Sequence, residues 1–361
     1  MQKKAVVPRA FERLNRLDAS ASRFAREVCE GLSRSPQKEL PSKYLYDEIG
    51  SALFDVITLL PEYGVTRAEE RVLERAASPI AQHLGEVSTV AELGSGSGRK
   101  TRWILEALTR NAPVTYCPIE ISPAALACCQ RELGGLPGVT IEGIQGDYLE
   151  GLALLHAQRG SRRTLGTSPQ AIYGSSKRHG AALSALEGWG GGRLAVLFLG
   201  STIGNFSRLA ATRFLRDIRA MVEPGDALVL GADLLKPVPQ LLAAYDDPLG
   251  VTASFDLNLL GHINRVLDAD FDLKGFRHVA RFNEDQRSIE MHLESRCAQT
   301  VSIAAAGFSA SFEQGETIWT ESSHKYDMDE VVQMGKTAGF AFVERWVDDE
   351  WAFAETLFEA I

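Results

Sequence analysis

Apolar and polar positions along this 361-residue chain fall into three regimes. Residues 1–66 carry apolar side chains at helical spacing: Phe11, Leu14, Leu17, Phe24 and Val28, then Leu53, Phe54, Val56 and Ile57, with Pro61 closing the last run. Between 67 and 235, short and nearly continuous apolar runs at 89–93, 114–119, 139–144, 194–199 and 227–230 alternate with helical stretches, of which 100–108 is amphipathic. Runs without polar alternation suit strands covered on both faces, so this zone predicts a doubly wound parallel sheet. Residues 236–325 change character: 278–282, 288–293 and 300–304 alternate as antiparallel strands do. The tail predicts a helix over 331–338 and strands over 340–347 and 351–357. Residues 159–192 interrupt the pattern. They are rich in Gly, Ser and Arg and too long for an ordinary helix-to-strand connection, and they read as a surface insertion or, alternatively, a regulatory contact.

Composition narrows the function classes. The length allows one large core, or one core with a smaller second unit. The net charge is −9 with acids and bases interspersed, so no basic stripe offers a nucleic-acid backbone its counter-charge, and a small-molecule substrate is expected. The five cysteines form no C-x-x-C pair and read as reduced thiols of a cytoplasmic protein. No H-E-x-x-H or Cys/His cluster calls for a metal. No apolar run approaches the roughly 18 residues of a membrane span, and the basic N-terminus lacks the apolar core of a signal peptide.

The candidate chemistry starts at Glu92-Leu93-Gly94-Ser95-Gly96-Ser97-Gly98, directly after an apolar strand. Glycines let the chain turn sharply out of the strand and let a ligand approach the backbone. Glu92 can accept hydrogen bonds from a cationic or amino group of that ligand. A nicotinamide loop would read G-x-G-x-x-G; here the third glycine comes one residue early, as in the nucleotide loop of S-adenosylmethionine (SAM) methyltransferases. Glu120 ends the next strand, 22 residues past Gly98, where an acid binds ribose hydroxyls or simply caps a strand in solvent. Asp147 and Tyr148 follow the third strand; there an Asp can bind the adenine amine and an aromatic ring can stack on the base. The helix after the loop would aim its N-terminal amides at the ligand.

After the insertion comes Leu197-Phe198-Leu199-Gly200-Ser201-Thr202-Ile203-Gly204-Asn205-Phe206. At the end of a fourth strand, glycines allow close approach to the methyl donor. Asn205 offers a neutral donor and acceptor for an amine or carboxylate; the alternative is a turn asparagine.

Several segments, in order, resemble the family of histidine-specific SAM-dependent N-α-methyltransferases, which form the betaine hercynine on the route to ergothioneine. They are Lys43-Tyr44-Leu45-Tyr46-Asp47, Gly50-Ser51, Leu60-Pro61-Glu62-Tyr63, Thr66-Arg67-Ala68-Glu69, the 92–102 loop, Gly200 to Asn205, Ala244-Tyr245-Asp246-Asp247-Pro248, Ile263-Asn264-Arg265, Ile289-Glu290-Met291 and 320–326. The resemblance implies a cofactor site of Gly94, Gly96, Lys100, Glu120, Asp147 and Tyr148. It implies that Asn205 and Tyr245 anchor the α-carboxylate and amine, that Glu321 and Ser323 grip the imidazole, that Tyr63 reaches the same ring, and that Met291 packs in the pocket. Asn205, Tyr245 and Tyr63 are the expected catalytic residues. Without the resemblance, Glu321 and Ser323 would read as an exposed pair on one strand face. The chain departs from the family pattern at Gly64-Val65 and at Ser97-Gly98-Arg99.

The fold class implied is α/β: a Rossmann-like class I SAM methyltransferase sheet of seven strands, over 67–235 and 326–361, with a second, discontinuous α+β substrate-binding domain from 1–66 and 236–325. The ligands are expected between the two. The expected activity is SAM-dependent trimethylation of the histidine α-amine by a monomer. The alternatives are an N-methyltransferase of another amino acid such as tryptophan, or of an aromatic amine; a non-catalytic SAM-binding regulator; and, more remotely, a nicotinamide dehydrogenase.

Overall fold

The structure, a computed structural model, describes residues 19–165 and 192–361. Phe11, Leu14, Leu17 and most of the 159–192 insertion lie outside the described residues. Two compact units emerge, one within Met1–Gly64 and Lys236–Ser323, the other within Val65–Leu235 and His324–Ile361.

The second of these is built on one sheet in the order Phe340–Asp348, Phe353–Ala360, Ala227–Asp233, Arg193–Phe198, Val87–Leu93, Val114–Glu120, Val139–Ile141. The inner pairs are parallel, and the second strand in this order, Phe353–Ala360, runs antiparallel to both of its neighbours. Alternate side chains of each inner strand enter opposite layers: Leu194, Val196 and Phe198 join one core, Ala195 and Leu197 the other. This two-sided burial explains why these strands read as continuous apolar runs. The run expected at 139–144 is split. Val139–Ile141 and Ile144–Gln145 both pair with Val114–Glu120, giving eight strands in seven positions. The ladder bridges the break through Glu142 N–H donating to the Tyr116 carbonyl at 2.8 Å.

The other unit holds the sheet Lys38–Glu39, Thr317–His324, Ser288–Ser295, Phe276–Asn283 and a separate hairpin, Gln299–Ile303 with Phe308–Phe312. The strands expected in this zone are present. The helices Val238–Tyr245 and Val251–Leu267 precede those strands, in a stretch for which the sequence pattern names no individual element, and they supply the helical part of the expected α+β unit. The residues of the recurring motifs have structural work in this unit. Asp47 caps helix Glu48–Ile57 by accepting from Gly50 N–H at 2.8 Å, and it also accepts from Asn258 at 2.7 Å and Arg265 at 2.6 Å. Asn264 donates to the Phe271 carbonyl and accepts from its N–H, at 2.8 and 2.9 Å, fixing the chain beyond the helix end.

Candidate active site

The glycine loop leaves strand Val87–Leu93 through three residues at positive φ: Gly94 at 79°, Gly96 at 52° and Gly98 at 70°. Their surroundings differ. A Cβ on Gly98 would lie 2.7 Å from Cys129 Sγ, and one on Gly94 would lie 3.1 Å from the Tyr148 ring, whereas one on Gly96 would meet nothing within 4 Å. Gly98 is therefore glycine for packing, and Gly96 presents bare backbone toward open space, as a nucleotide cradle requires. Gly96 N–H also donates to Glu120 at 3.2 Å, bringing the second-strand acid against the loop. Tyr148 packs edge-to-face on Phe198 and Phe214, with ring centroids 5.7 and 6.1 Å away. Asp147 beside it is exposed and accepts from Leu149 N–H at 3.3 Å at the start of helix Tyr148–Leu165.

Glu92 is turned into the protein interior. It is 2% exposed and accepts from Thr101 Oγ1 at 2.7 and 2.8 Å and from the Tyr116 hydroxyl. Burial pushes its carboxyl up to about 7, and the Tyr116 and Thr101 hydroxyls and Lys100 oppose that rise. Its work is to tie the loop strand to the segment after the loop and to the neighbouring strand. That segment enters its helix at Arg102, two residues later than expected.

Lys100 pairs instead with Glu69, a fully buried residue of helix Val65–Leu84. The other Glu69 oxygen accepts from Gly200 N–H. One carboxylate thus ties Lys100 to the turn that carries Asn205. Burial opposes charge on Lys100, but Glu69 outweighs it and holds the ammonium above its usual range. Glu355 lies in the same buried cluster. Among the described residues no donor reaches its oxygens, and burial, then the neighbouring Glu69 charge, raises its pKa well above the carboxylate range. As the neutral acid it can donate its hydroxyl hydrogen to Glu69. Gly231 makes room for both; a Cβ there would lie 2.9 Å from Glu69 Oε1 and 3.0 Å from Glu355 Oε1. Glu69 lay inside a recognised motif, but its partners are distant in sequence.

Asn205 closes a short turn, Thr202–Asn205, that is held from several sides. Ser201 sits at φ 56° and accepts from Asp233 N–H at 2.8 Å. The Tyr326 hydroxyl donates to the Ile203 carbonyl at 3.0 Å. Asn205 itself is half-buried.

The remaining expected substrate residues belong to the other unit. Tyr63, Tyr245, Met291, Glu321 and Ser323 are all buried. Tyr245 donates to Ser323 Oγ at 2.7 Å, and the Tyr63 and Tyr245 rings meet edge-to-face at 6.0 Å. Thr320 Oγ1 donates to the Met291 carbonyl at 3.0 Å, tying their two strands together. Glu321 and Ser323 are only 8% and 6% exposed, which sets aside the reading as a solvated strand pair. The sequence reading missed Tyr46, whose hydroxyl reaches Glu321 Oε1 at 3.4 Å. Its signal was the Lys43-Tyr44-Leu45-Tyr46-Asp47 motif, in which the second tyrosine had no assigned task.

A parallel sheet with an antiparallel end, and a positive-φ glycine loop against the acid of the next strand, define a Rossmann-like methyltransferase of the SAM-binding class. The chain belongs to the family of histidine-specific, SAM-dependent methyltransferases, whose model matches residues 24–360. It is 37% identical over 343 residues to a histidine N-alpha-methyltransferase of Mycolicibacterium smegmatis, covering 94% of this chain and 96% of that one. It is 36% identical over 345 residues to the protein of that name in Mycobacterium tuberculosis, again covering 94% and 96%. An L-tryptophan methyltransferase of Psilocybe serbica is 27% identical over 336 residues, covering 90% of this chain and 89% of that one.

Proposed function

We propose that this protein transfers methyl groups from SAM to the α-amine of L-histidine and forms hercynine, the trimethylated betaine on the route to ergothioneine. The observation that carries the acceptor is the buried cluster of Glu321, Ser323 and Tyr245. Imidazole has one nitrogen that donates and one that accepts, and a carboxylate and a hydroxyl satisfy both; indole has a donor alone. Against an indole the Ser323 hydroxyl, which already accepts from Tyr245, finds no ring nitrogen to donate to and stays unsatisfied, which costs about 1–3 kcal/mol per group. Identity of 36–37% to proteins named for histidine supports the same choice.

The residues fit the cofactor. Bare backbone at Gly96, the Glu120 carboxylate beside it, the Tyr148 ring and the Lys100 cation offer what an adenosine and an amino-acid carboxylate need. Bound SAM supplies an activated methyl on sulfur, so the protein has no electrophile to generate. The chain's own task is positional. Asn205 holds the polar α-substituents through a neutral amide, Tyr245 joins it in that task, and Tyr63 and Met291 wall the ring. Keeping the amine neutral favours reaction, and tyrosine hydroxyls and water can carry its proton away.

Every group in this proposal comes from one chain, so a monomer suffices. The five unpaired cysteines suit a reducing cytoplasm. Mass spectrometry after incubation with SAM and all twenty amino acids tests the reading. Three methyls on histidine alone support it. Methylation of tryptophan instead moves the specificity, and SAM binding without any turnover favours a regulator.

A further inference from the structure

His278 lies in strand Phe276–Asn283 with its side chain 1% exposed. Its Nδ1 is 2.7 Å from Asp256 Oδ2 and its Nε2 is 2.8 Å from the main-chain carbonyl of Tyr245. A carbonyl only accepts, so Nε2 must carry a hydrogen. A carboxylate likewise accepts, so Nδ1 must carry one as well. Tyr245 is the last residue of helix Val238–Tyr245, whose final carbonyls have no partner within the helix and whose end bears partial negative charge. A cation at that end both caps and stabilises it.

We propose that His278, held doubly protonated between Asp256 and the Tyr245 carbonyl, is a positioning residue that sets the Tyr245 hydroxyl against Ser323. The helix end is where Tyr245 leaves its last turn, so pinning its carbonyl fixes where the side chain departs. The hydroxyl then meets Ser323 Oγ at 2.7 Å. Asp256 is itself fully buried, and its Oδ1 finds no hydrogen-bond partner among the described residues, so its charge is directed at the imidazole. The charged groups acting on the ring are Asp256, from helix Val251–Leu267, and Asp246, just past the helix end. The neighbour across the sheet is the apolar Leu293. Burial pulls the imidazole toward its neutral form, but the two aspartates and the Tyr245 carbonyl outweigh it and raise its pKa. Asp256 also acts on His292 in the paired strand, whose imidazole burial keeps below its usual range.

This role rests on Tyr245 being a substrate residue, and the test separates the two. Protein labelled with ¹⁵N at histidine is examined by NMR at about pH 8, above the ordinary imidazole range. One ring should show two slowly exchanging N–H groups, absent from His278→Gln. In kinetics, His278→Gln should raise the KM for histidine about fivefold or more, the scale of one lost hydrogen bond, with the KM for SAM little changed. Asp256→Asn, whose neutral ring keeps one N–H for the carbonyl, should fall between it and the native enzyme and should titrate at lower pH. A single ring N–H on His278 in the native protein overturns the proposal whether or not the variants fold. So does a native histidine KM in His278→Gln, provided Tyr245→Phe raises it. If Tyr245→Phe also leaves that KM unchanged, the substrate role of Tyr245 fails and the positioning role falls with it, while the two N–H groups still appear.

Discussion

Tyr245 donates to Ser323 Oγ at 2.7 Å between residues 78 apart in sequence, both buried. The hydrogen bond joins the end of one helix to the strand that also carries Glu321. It couples the group assigned to the α-substituents to a group assigned to the ring. Tyr245→Phe and Ser323→Ala should each lower kcat/KM for histidine about 5–20-fold, and the double variant should lose less than the product of the two. A double-mutant cycle measures this; full additivity would show that the bond has no part in substrate binding.

The cofactor loop separates two kinds of glycine. Gly96→Ala should raise the KM for SAM strongly at a stability cost of about 1–2 kcal/mol for the left-handed backbone, because its methyl points into open space. Gly98→Ala, which collides with Cys129 and Leu133, should instead show mainly a lower melting temperature. SAM titration calorimetry together with thermal melts distinguishes them.

Glu355 gives a pH prediction. Its folded pKa lies above the ordinary 4.5, so the native state holds a proton the unfolded chain releases. Stability therefore falls as pH rises from about 4.5 toward the folded pKa. Glu355→Gln keeps a donor for Glu69 and removes this penalty. Its melting temperature should exceed the native one by a margin that widens with pH from acid to neutral. A constant margin would mean that Glu355 is ionised in the folded state.

Asp47 works in the opposite sense. Burial alone would raise its pKa, but the Gly50 N–H, Arg265 and Asn258 hold it below the usual 3.8. Its contribution is present above that value and is lost as pH falls through the folded pKa. Asp47→Ala should cost about 0.5–2 kcal/mol, the range for a helix N-cap, at neutral pH and much less in strong acid. Urea denaturation at several pH values checks both.

The strands of the larger sheet were legible because burial on both faces leaves unbroken apolar runs, as in Arg193–Phe198. Helix Val251–Leu267 was hidden because its buried face includes Thr252, Asp256, Asn258 and Gly261, which blur the apolar period. Asp256 is polar there because it faces His278, and Asn258 because it faces Asp47. The partners of Glu92 were not legible because an acid before a glycine loop looks the same in sequence whatever hydroxyls it accepts from, here those of Tyr116 and Thr101. The candidate site residues were read by resemblance; their pairings, such as Lys100 with Glu69 or Tyr46 with Glu321, depend on contacts across many residues that no local pattern encodes.

The central claim is that Glu321 and its neighbours select histidine by its imidazole. The most direct test is the ratio of kcat/KM for histidine to that for tryptophan, in the native enzyme and in Glu321→Ala. The native enzyme should favour histidine by orders of magnitude. The variant should lose about 5–150-fold on histidine, the kinetic equivalent of about 1–3 kcal/mol, and little on tryptophan. A native enzyme that turns over tryptophan as well as histidine, or a variant with an unchanged ratio, would contradict it.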